Sequence, residues 1–389
     1  MELRTLQVFG QYLHQTENWS YHLVRALPNC QVLVGAERFF KGAFYDPRFD
    51  YIEFLIRPYD RPRRGFLDRA LNAFICHALL PFYPRWLARQ SAPVDIVHAH
   101  FGYIGWRYMA MARRLRAPLV VSFYGADYSR EPYTEPIWRS RYRDLFNAAA
   151  LVLCEGPHGV AEIVKLGCPP EKAAVLHLGV DTAAIAKIPR LKAPGELRLV
   201  QIANFREKKG QIYTAQAFRQ ALATCPNMTL TFVGRDTDHL QRGVMEALGE
   251  ARARVEFLDS IDFGRLHKFL ADFQLFIHPS VHAANGDCEG GAPVVLLDAQ
   301  ATGLPVIATR HCDIPEEVVE GRTGLLCPEK NVGALAEAIQ SFYQMGPAAY
   351  QQMADNARRH VETEFDTAQS GRKLFELYGR LIGSTGGQR

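Results

Sequence analysis

The chain has 389 residues, 48% hydrophobic and 22% charged, with a formal net charge of +4 at pH 7. That length exceeds what one hydrophobic core ordinarily supports, so two domains are expected. The small net charge gives no case for nucleic-acid binding, and no uncharged apolar run of about eighteen residues predicts a membrane-spanning helix.

The N-terminus runs directly into a strand and lacks the apolar core of an export signal. The eight cysteines are scattered without C-x-x-C pairs or zinc-type spacing. They read as reduced thiols of a cytoplasmic protein, and no metal ligand set is expected.

In chain order, Leu6-Gln7-Val8-Phe9 reads as a first strand closed by a tight turn at Gly10. Residues 17–27 read as an amphipathic helix and 31–34 as a second strand. Arg57, Arg61, Arg63 and Arg64 then precede an apolar helix-like segment, 66–87, closed by Arg85 and Arg89. Two readings stay open for 57–89: a buried helix with a solvated flank, or a peripheral contact with an anionic membrane face. Residues 95–100 form a strand ending in Phe101-Gly102, followed by a helix through Arg116. A strand at 118–123 leads to the loop Tyr124-Gly125-Ala126-Asp127. Another strand, 150–154, precedes a helix that ends at Gly167. Apolar strands alternating with helices indicate a parallel sheet covered on both faces.

Composition then shifts to Ala, Lys and Pro, and 186–196 reads as a linker between domains at 1–185 and 197–365. Strand signals resume at 197–203, 228–233, 255–258, 275–278 and 306–309. The last helix, within 366–389, is expected to cross back to the first domain. The expected fold class is α/β, two Rossmann-like doubly wound parallel-sheet domains facing a cleft, with ligands beyond the strands' carboxyl ends. No G-x-G-x-x-G, P-loop, H-E-x-x-H or G-x-S-x-G occurs, which weakens the dinucleotide oxidoreductase, NTPase, zinc-hydrolase and serine-hydrolase readings.

The central stretch is 289–305. Glu289-Gly290-Gly291-Ala292-Pro293 reads as a loop, with Pro293 at the first helical position, where its missing N–H goes unneeded. Gly303 reads as a left-handed cap. Such a helix start suits a phosphate. Asp298 lies five residues in, roughly 7–8 Å along the axis. One carboxylate on each side of a phosphate site matches the two hydroxylated ends of a sugar nucleotide, Glu289 at the hexose and Asp298 at the ribose; a solvent-facing Glu and an ordinary helix Asp is the bland reading.

Asn204-Phe205-Arg206-Glu207-Lys208-Lys209-Gly210 follows a strand, where Arg206, Lys208 and Lys209 can neutralise a diphosphate. His311-Cys312-Asp313 reads as a backbone loop facing phosphate, since adjacent residues on a turn do not converge on one ion. His100 sits at a strand end, either facing the cleft or as a satisfied histidine near the core.

Taken together, these residues resemble a family-4 retaining glycosyltransferase of GT-B fold over nearly the whole chain. The resemblance rests on His98-Ala99-His100-Phe101-Gly102, Ser122-Phe123-Tyr124-Gly125-Ala126-Asp127, Gly179-Val180-Asp181, Lys208-Lys209-Gly210, Pro279-Ser280, residues 289–305, Ile314-Pro315-Glu316 and Thr323-Gly324-Leu325-Leu326, in the family's order. It is strongest toward enzymes of capsule, exopolysaccharide and colanic-acid assembly.

The resemblance implies transfer of a hexose from a nucleoside-diphosphate sugar, UDP by family habit, to a saccharide or lipid-linked saccharide. No metal or other cofactor is implied. Glu289, Lys209 and Arg206 would be catalytic, and Gly10, Asn204, Gly290, Gly291, Ala292, Pro293 and Asp298 would hold the donor. His100, Tyr124 and Asp127 would line the donor and acceptor cleft. The chain departs from the family pattern in three places: one extra residue between Glu289 and Asp298, Asn204 where a basic residue is usual, and Tyr124 where a histidine is frequent. The rivals are a GT-B sugar-nucleotide epimerase or hydrolase, and a non-catalytic sugar-nucleotide-binding subunit.

Overall fold

The computed structural model describes residues 2–12, 18–39, 45–53, 80–291 and 293–385. The chain divides into two units, Met1–Leu178 with Thr367–Arg389, and Gly179–Asp366. The apolar segment at 66–87 is described only from residue 80 on, and the basic cluster from Arg57 to Arg64 lies outside the described residues. Within the described part, the helix Tyr83–Ser91 buries Tyr83, Leu87 and Ala88 in the first unit's core. No helix among the described residues is long and apolar enough to cross a membrane.

The first unit holds β1 (Leu3–Tyr12), β2 (Cys30–Phe39), β3 (Asp50–Ile52), β4 (Ile96–His100), β5 (Leu119–Phe123), β6 (Leu151–Cys154) and β7 (Ala173–Val175). They form one parallel sheet in the order β3-β2-β1-β4-β5-β6-β7. Every residue of β4 and β5 is buried, as helices on both faces require. The order reverses between β1 and β4, the kind of switch point where open α/β sheets bind ligands.

β1 corrects one expectation. Its ladder to β2 continues through Tyr12, so Gly10 lies inside the strand and not in a tight turn. A Cβ at Gly10 would stand 3.1 Å from Ile104 Cδ1.

The closing helix, Thr367–Thr385, is part of this first unit. At Gly371 a Cβ would come 2.2 Å from the carbonyl oxygen of Ala26. Further along, the Tyr378 hydroxyl reaches His98 Nδ1 at 2.6 Å and Gln7 Nε2 at 3.3 Å.

The second unit holds β8 (Leu197–Ile202), β9 (Met228–Val233), β10 (Val255–Leu258), β11 (Leu275–His278), β12 (Val306–Thr309) and β13 (Gly324–Cys327). These too are all parallel, in the order β10-β9-β8-β11-β12-β13. Alternation along the strands feeds two cores, one on each face. Leu199, Leu275, Ile277 and Ile307 join one core; Val200, Phe276, Val306 and Ala308 join the other.

The stretch 186–196, read as a linker, packs on this unit. Arg190 and Lys192 are 6% and 4% exposed. Arg190 donates to the carbonyls of Leu270 and Phe273 at 2.7 Å each, and Lys192 to those of Tyr343 and Met345 at 3.1 and 3.0 Å. Cations that lack apolar periodicity are buried here because carbonyls at the ends of other elements accept their protons.

Candidate functional site

The second sheet reverses order between β8 and β11, and the loops after these two strands are locked together. The turn Glu207–Lys209 ends at Gly210, whose φ is 65°. A Cβ on Gly210 would sit 2.0 Å from the Pro279 carbonyl oxygen, so only glycine permits this approach. The Val281 N–H donates to the Lys208 carbonyl at 2.9 Å, and Gln201 Nε2 donates to that of Lys209 at 2.7 Å.

This lock sets Lys209 Nζ 2.6 Å from Glu289 Oε2. Ser280 Oγ donates to Glu289 Oε1 at 2.8 Å, and His278 Nε2 stands 3.4 Å from the same oxygen. The Glu289 side chain is only 5% exposed, which removes the reading of a solvent-facing cap residue. Burial pushes its carboxyl up, but Lys209, the His278 hydrogen bond and Lys208 outweigh burial and hold it well below the usual range. Burial lowers the Lys209 ammonium from its ordinary value against the opposing pull of Glu289. Lys208 turns away to Asp287 Oδ1 at 3.1 Å and the Cys288 carbonyl at 2.8 Å, fixing the loop that leads to Glu289.

Gly290 takes a φ of 83°, and the Gly291 carbonyl accepts from the Asp313 N–H at 3.2 Å. Ala292 lies outside the described residues. Pro293 is the N-cap, with ψ at 113°, and the helix starts one residue later than expected, at Val294–Ala301. The residue before a helix keeps extended geometry, and Pro293 supplies it. This helix is buried on nearly all sides, which explains its apolar sequence.

Asp298 is therefore 5% exposed, and its partner is His267 Nε2 at 2.8 Å. Nothing in the sequence marked His267, which sits in the four-residue helix Leu266–Phe269. Asn204 serves the loop, accepting the Arg235 N–H at 3.1 Å. Arg206 is 46% exposed, and its ion pair is a loose one with Asp238 at 3.9 Å.

Beneath Glu289 lies a side-chain network that the reading of His311-Cys312-Asp313 as a backbone loop facing phosphate did not include. Both adjacent side chains point to one place, with Cys312 Sγ 3.2 Å from His311 Nε2. A φ of 46° at Cys312 turns its side chain back toward its neighbour's. His311 Nε2 accepts the Glu289 N–H at 3.1 Å, and His311 Nδ1 meets Glu329 Oε1 at 2.7 Å.

In the first unit, His100 and Tyr124 are joined, with Nδ1 2.7 Å from the hydroxyl. His100 Nε2 lies 3.0 Å from Gln7 Oε1, and the ring stacks on Phe9 at 4.1 Å. His100 is wholly buried, and burial, with His98 adding to it, holds it well below its ordinary pKa. Asp127 accepts the N–H groups of Gly102 at 2.9 Å and Tyr124 at 3.0 Å. It thus anchors the start of the helix Gly102–Leu115 to the loop after β5. Burial pushes its carboxyl up to about 7.

Comparison with known proteins adds to this geometry. Residues 196–345 match the family model described as "Glycosyl transferases group 1", and residues 16–184 the one described as "Glycosyltransferase Family 4". The amylovoran biosynthesis glycosyltransferase AmsK of Erwinia amylovora is 31% identical over 306 residues, spanning 77% of this chain and 74% of that protein. The putative colanic acid biosynthesis glycosyltransferase WcaL of Escherichia coli K12 is 31% identical over 294 residues, 74% of this chain and 71% of the relative. Among solved structures, Anabaena Alr3699/HepE in complex with UDP and glucose superposes with a TM-score of 0.73 at 18% identity, covering 97% of this chain and 100% of that one. A glycosyltransferase from Rickettsia africae ESF-5 gives 0.74 at 15% identity, with 98% and 99% covered. These two likenesses concern the fold, GT-B.

Proposed function

The chain belongs to the family-4, group 1 glycosyltransferases, and from that premise we propose that it moves a hexose from a UDP-sugar to an acceptor hydroxyl with the anomeric configuration retained. The product belongs to a cell-surface polysaccharide or glycolipid, as the names of the amylovoran and colanic-acid relatives suggest. The observation that carries this reading is the buried Lys209–Glu289 pair at the β8/β11 switch point, beside the N-terminus of Val294–Ala301.

In the resting protein each charge of this pair neutralises the other. When the donor enters, Lys209 turns to the diphosphate and Glu289 takes hydroxyls of the hexose, so a desolvated cation and anion are already in place. The hard step is breakage of the bond between the anomeric carbon and the diphosphate as an oxocarbenium-like sugar forms. Lys209, helped by Arg206 and the amides of Gly290 and Gly291 before the helix start at Pro293, stabilises the leaving charge. The acceptor oxygen attacks the same face, and its proton passes to the departing phosphate. Asp298 binds the ribose hydroxyls, with His267 holding its carboxylate in place.

These groups supply the positive charge, so the reaction is proposed to need no metal. In the first unit, Tyr124 is assigned to the donor and acceptor groups, with His100 and Asp127 holding its loop.

The test is turnover of UDP-hexoses by the full chain with saccharide and lipid-linked acceptors in the presence of EDTA, the product anomer being read by NMR. An α-linked product from an α-linked donor is expected. A β-linked product overturns retention, and tight donor binding without turnover overturns the enzyme reading.

A further inference from the structure

We propose that the second unit carries a binding site for a thiophilic transition-metal cation of the zinc type, formed by His282, Cys288 and Cys312 with His311 completing it. The site goes beyond glycosyl transfer and takes no part in its chemistry. Ligand-capable atoms of His282, Cys288 and Cys312 all lie within 4.8 Å of one another. A tetrahedral zinc ion bonded at about 2.3 Å to sulfur and about 2.0 Å to nitrogen needs its ligand atoms roughly 3.3–3.8 Å apart. Binding would draw these atoms to that spacing.

The surrounding groups are arranged as a metal would require. Glu329 Oε1 meets Nδ1 of His282 at 2.9 Å and Nδ1 of His311 at 2.7 Å. The carboxylate keeps each ring's proton on Nδ1 and the lone pair on Nε2, as carboxylates behind metal-bound imidazoles do, although the His311 Nε2 lone pair is taken by the Glu289 N–H in the metal-free chain. His311 Nε2, 3.2 Å from Cys312 Sγ, would become the fourth donor on giving up the Glu289 N–H. The His282 side chain is 52% exposed whereas Cys288 is 1% exposed, so one ligand reaches solvent and provides a path to the buried sulfur. Two sulfurs and two imidazoles select zinc-like ions over magnesium or calcium. Cys288 and Cys312 are both free thiols. Binding converts both to thiolates, releases two protons to solvent and changes no oxidation state.

Occupancy reaches the residue that follows Cys288. His311 Nε2 is the acceptor of the Glu289 N–H at 3.1 Å. Turning that lone pair to a metal removes the acceptor and shifts the Glu289 loop. A bound ion therefore slows transfer, a consequence that rests on the function proposed above, whereas the site itself does not.

The experiment titrates the reduced, metal-stripped full chain with Co2+, a spectroscopic stand-in for Zn2+. One equivalent should bind with a thiolate-to-cobalt charge-transfer band and release of two protons, and Zn2+ should displace it. Cys312→Ser and His282→Ala should each weaken Co2+ binding more than about tenfold, with unchanged circular dichroism to exclude misfolding. In parallel, Zn2+ should suppress donor turnover by the unmodified chain but not by Cys312→Ser. Binding without the sulfur band, or variants that bind as tightly as the parent, overturns the site. A band with no effect on turnover keeps the site and overturns its link to Glu289. A chain that transfers no sugar leaves the Co2+ result decisive.

Discussion

At the scale of single residues, Lys209 and Arg206 were indistinguishable as cations of one loop, and their surroundings separate them. Lys209 is held 2.6 Å from a buried carboxylate, while Arg206 is 46% exposed. Lys209→Ala should lower kcat by about 10²–10³, the usual cost of losing one preorganised donor. Arg206→Ala should lower it less than about tenfold, since an exposed charge acts through water. Steady-state donor consumption checks both. Asp298→Ala should mainly raise the donor KM, by about tenfold or more, because a charge-assisted hydrogen bond is worth ~1.5–3 kcal/mol and the ribose does not react. A fall in kcat at unchanged KM would contradict that assignment.

At the scale of elements, the site depends on how closely two loops approach. Gly210→Ala places a methyl group against the Pro279 carbonyl at 2.0 Å and retains a positive φ, so the loop after β8 must move away from the loop after β11. A loss of about 1–3 kcal/mol is expected from such strain, together with loss of turnover as Lys209 leaves Glu289. Gly243 provides the control, because it lies in the helix Gln241–Leu248 with nothing within 4 Å of an added Cβ. Gly243→Ala should be neutral or stabilising by up to about 1 kcal/mol. Thermal denaturation and turnover of the two variants, measured side by side, decide the matter.

At the scale of the molecule, the C-terminal helix is tied to the first sheet through Tyr378, which meets the buried His98 and Gln7. His98 is fully buried between Tyr378 at 2.6 Å and Ser122 Oγ at 2.8 Å, and burial lowers its pKa to about 3. An unfolded histidine titrates near 6.5, so between about 6.5 and 3 the unfolded chain binds one more proton than the folded chain. Stability from neutral His98 is therefore present above about pH 6.5 and is lost as the pH falls toward 3. In His98→Gln, the drop in urea midpoint between pH 7 and pH 4 should be smaller than in the parent chain. An unchanged drop would mean that other groups govern acid unfolding.

Strand periodicity by itself determined two parallel α/β sheets, because a strand covered on both faces is buried along its whole length, as β4, β5, β11 and β12 are, and is therefore mostly apolar. It missed β3 and β7, three residues each and too short to show a period, and also the four-residue β13. The glycines and charges flanking Glu289 were legible as a family pattern, since their spacing is local. Only the tertiary structure decided their partners. His267 comes to Asp298 from 31 residues away, and Lys209 to Glu289 from 80. It also gathered Cys288, Cys312 and His282, which looked scattered along the chain. The physical reason is that a parallel sheet brings the carboxyl ends of its strands to one edge. Loops distant in sequence meet there, and no pattern within any single loop records the meeting.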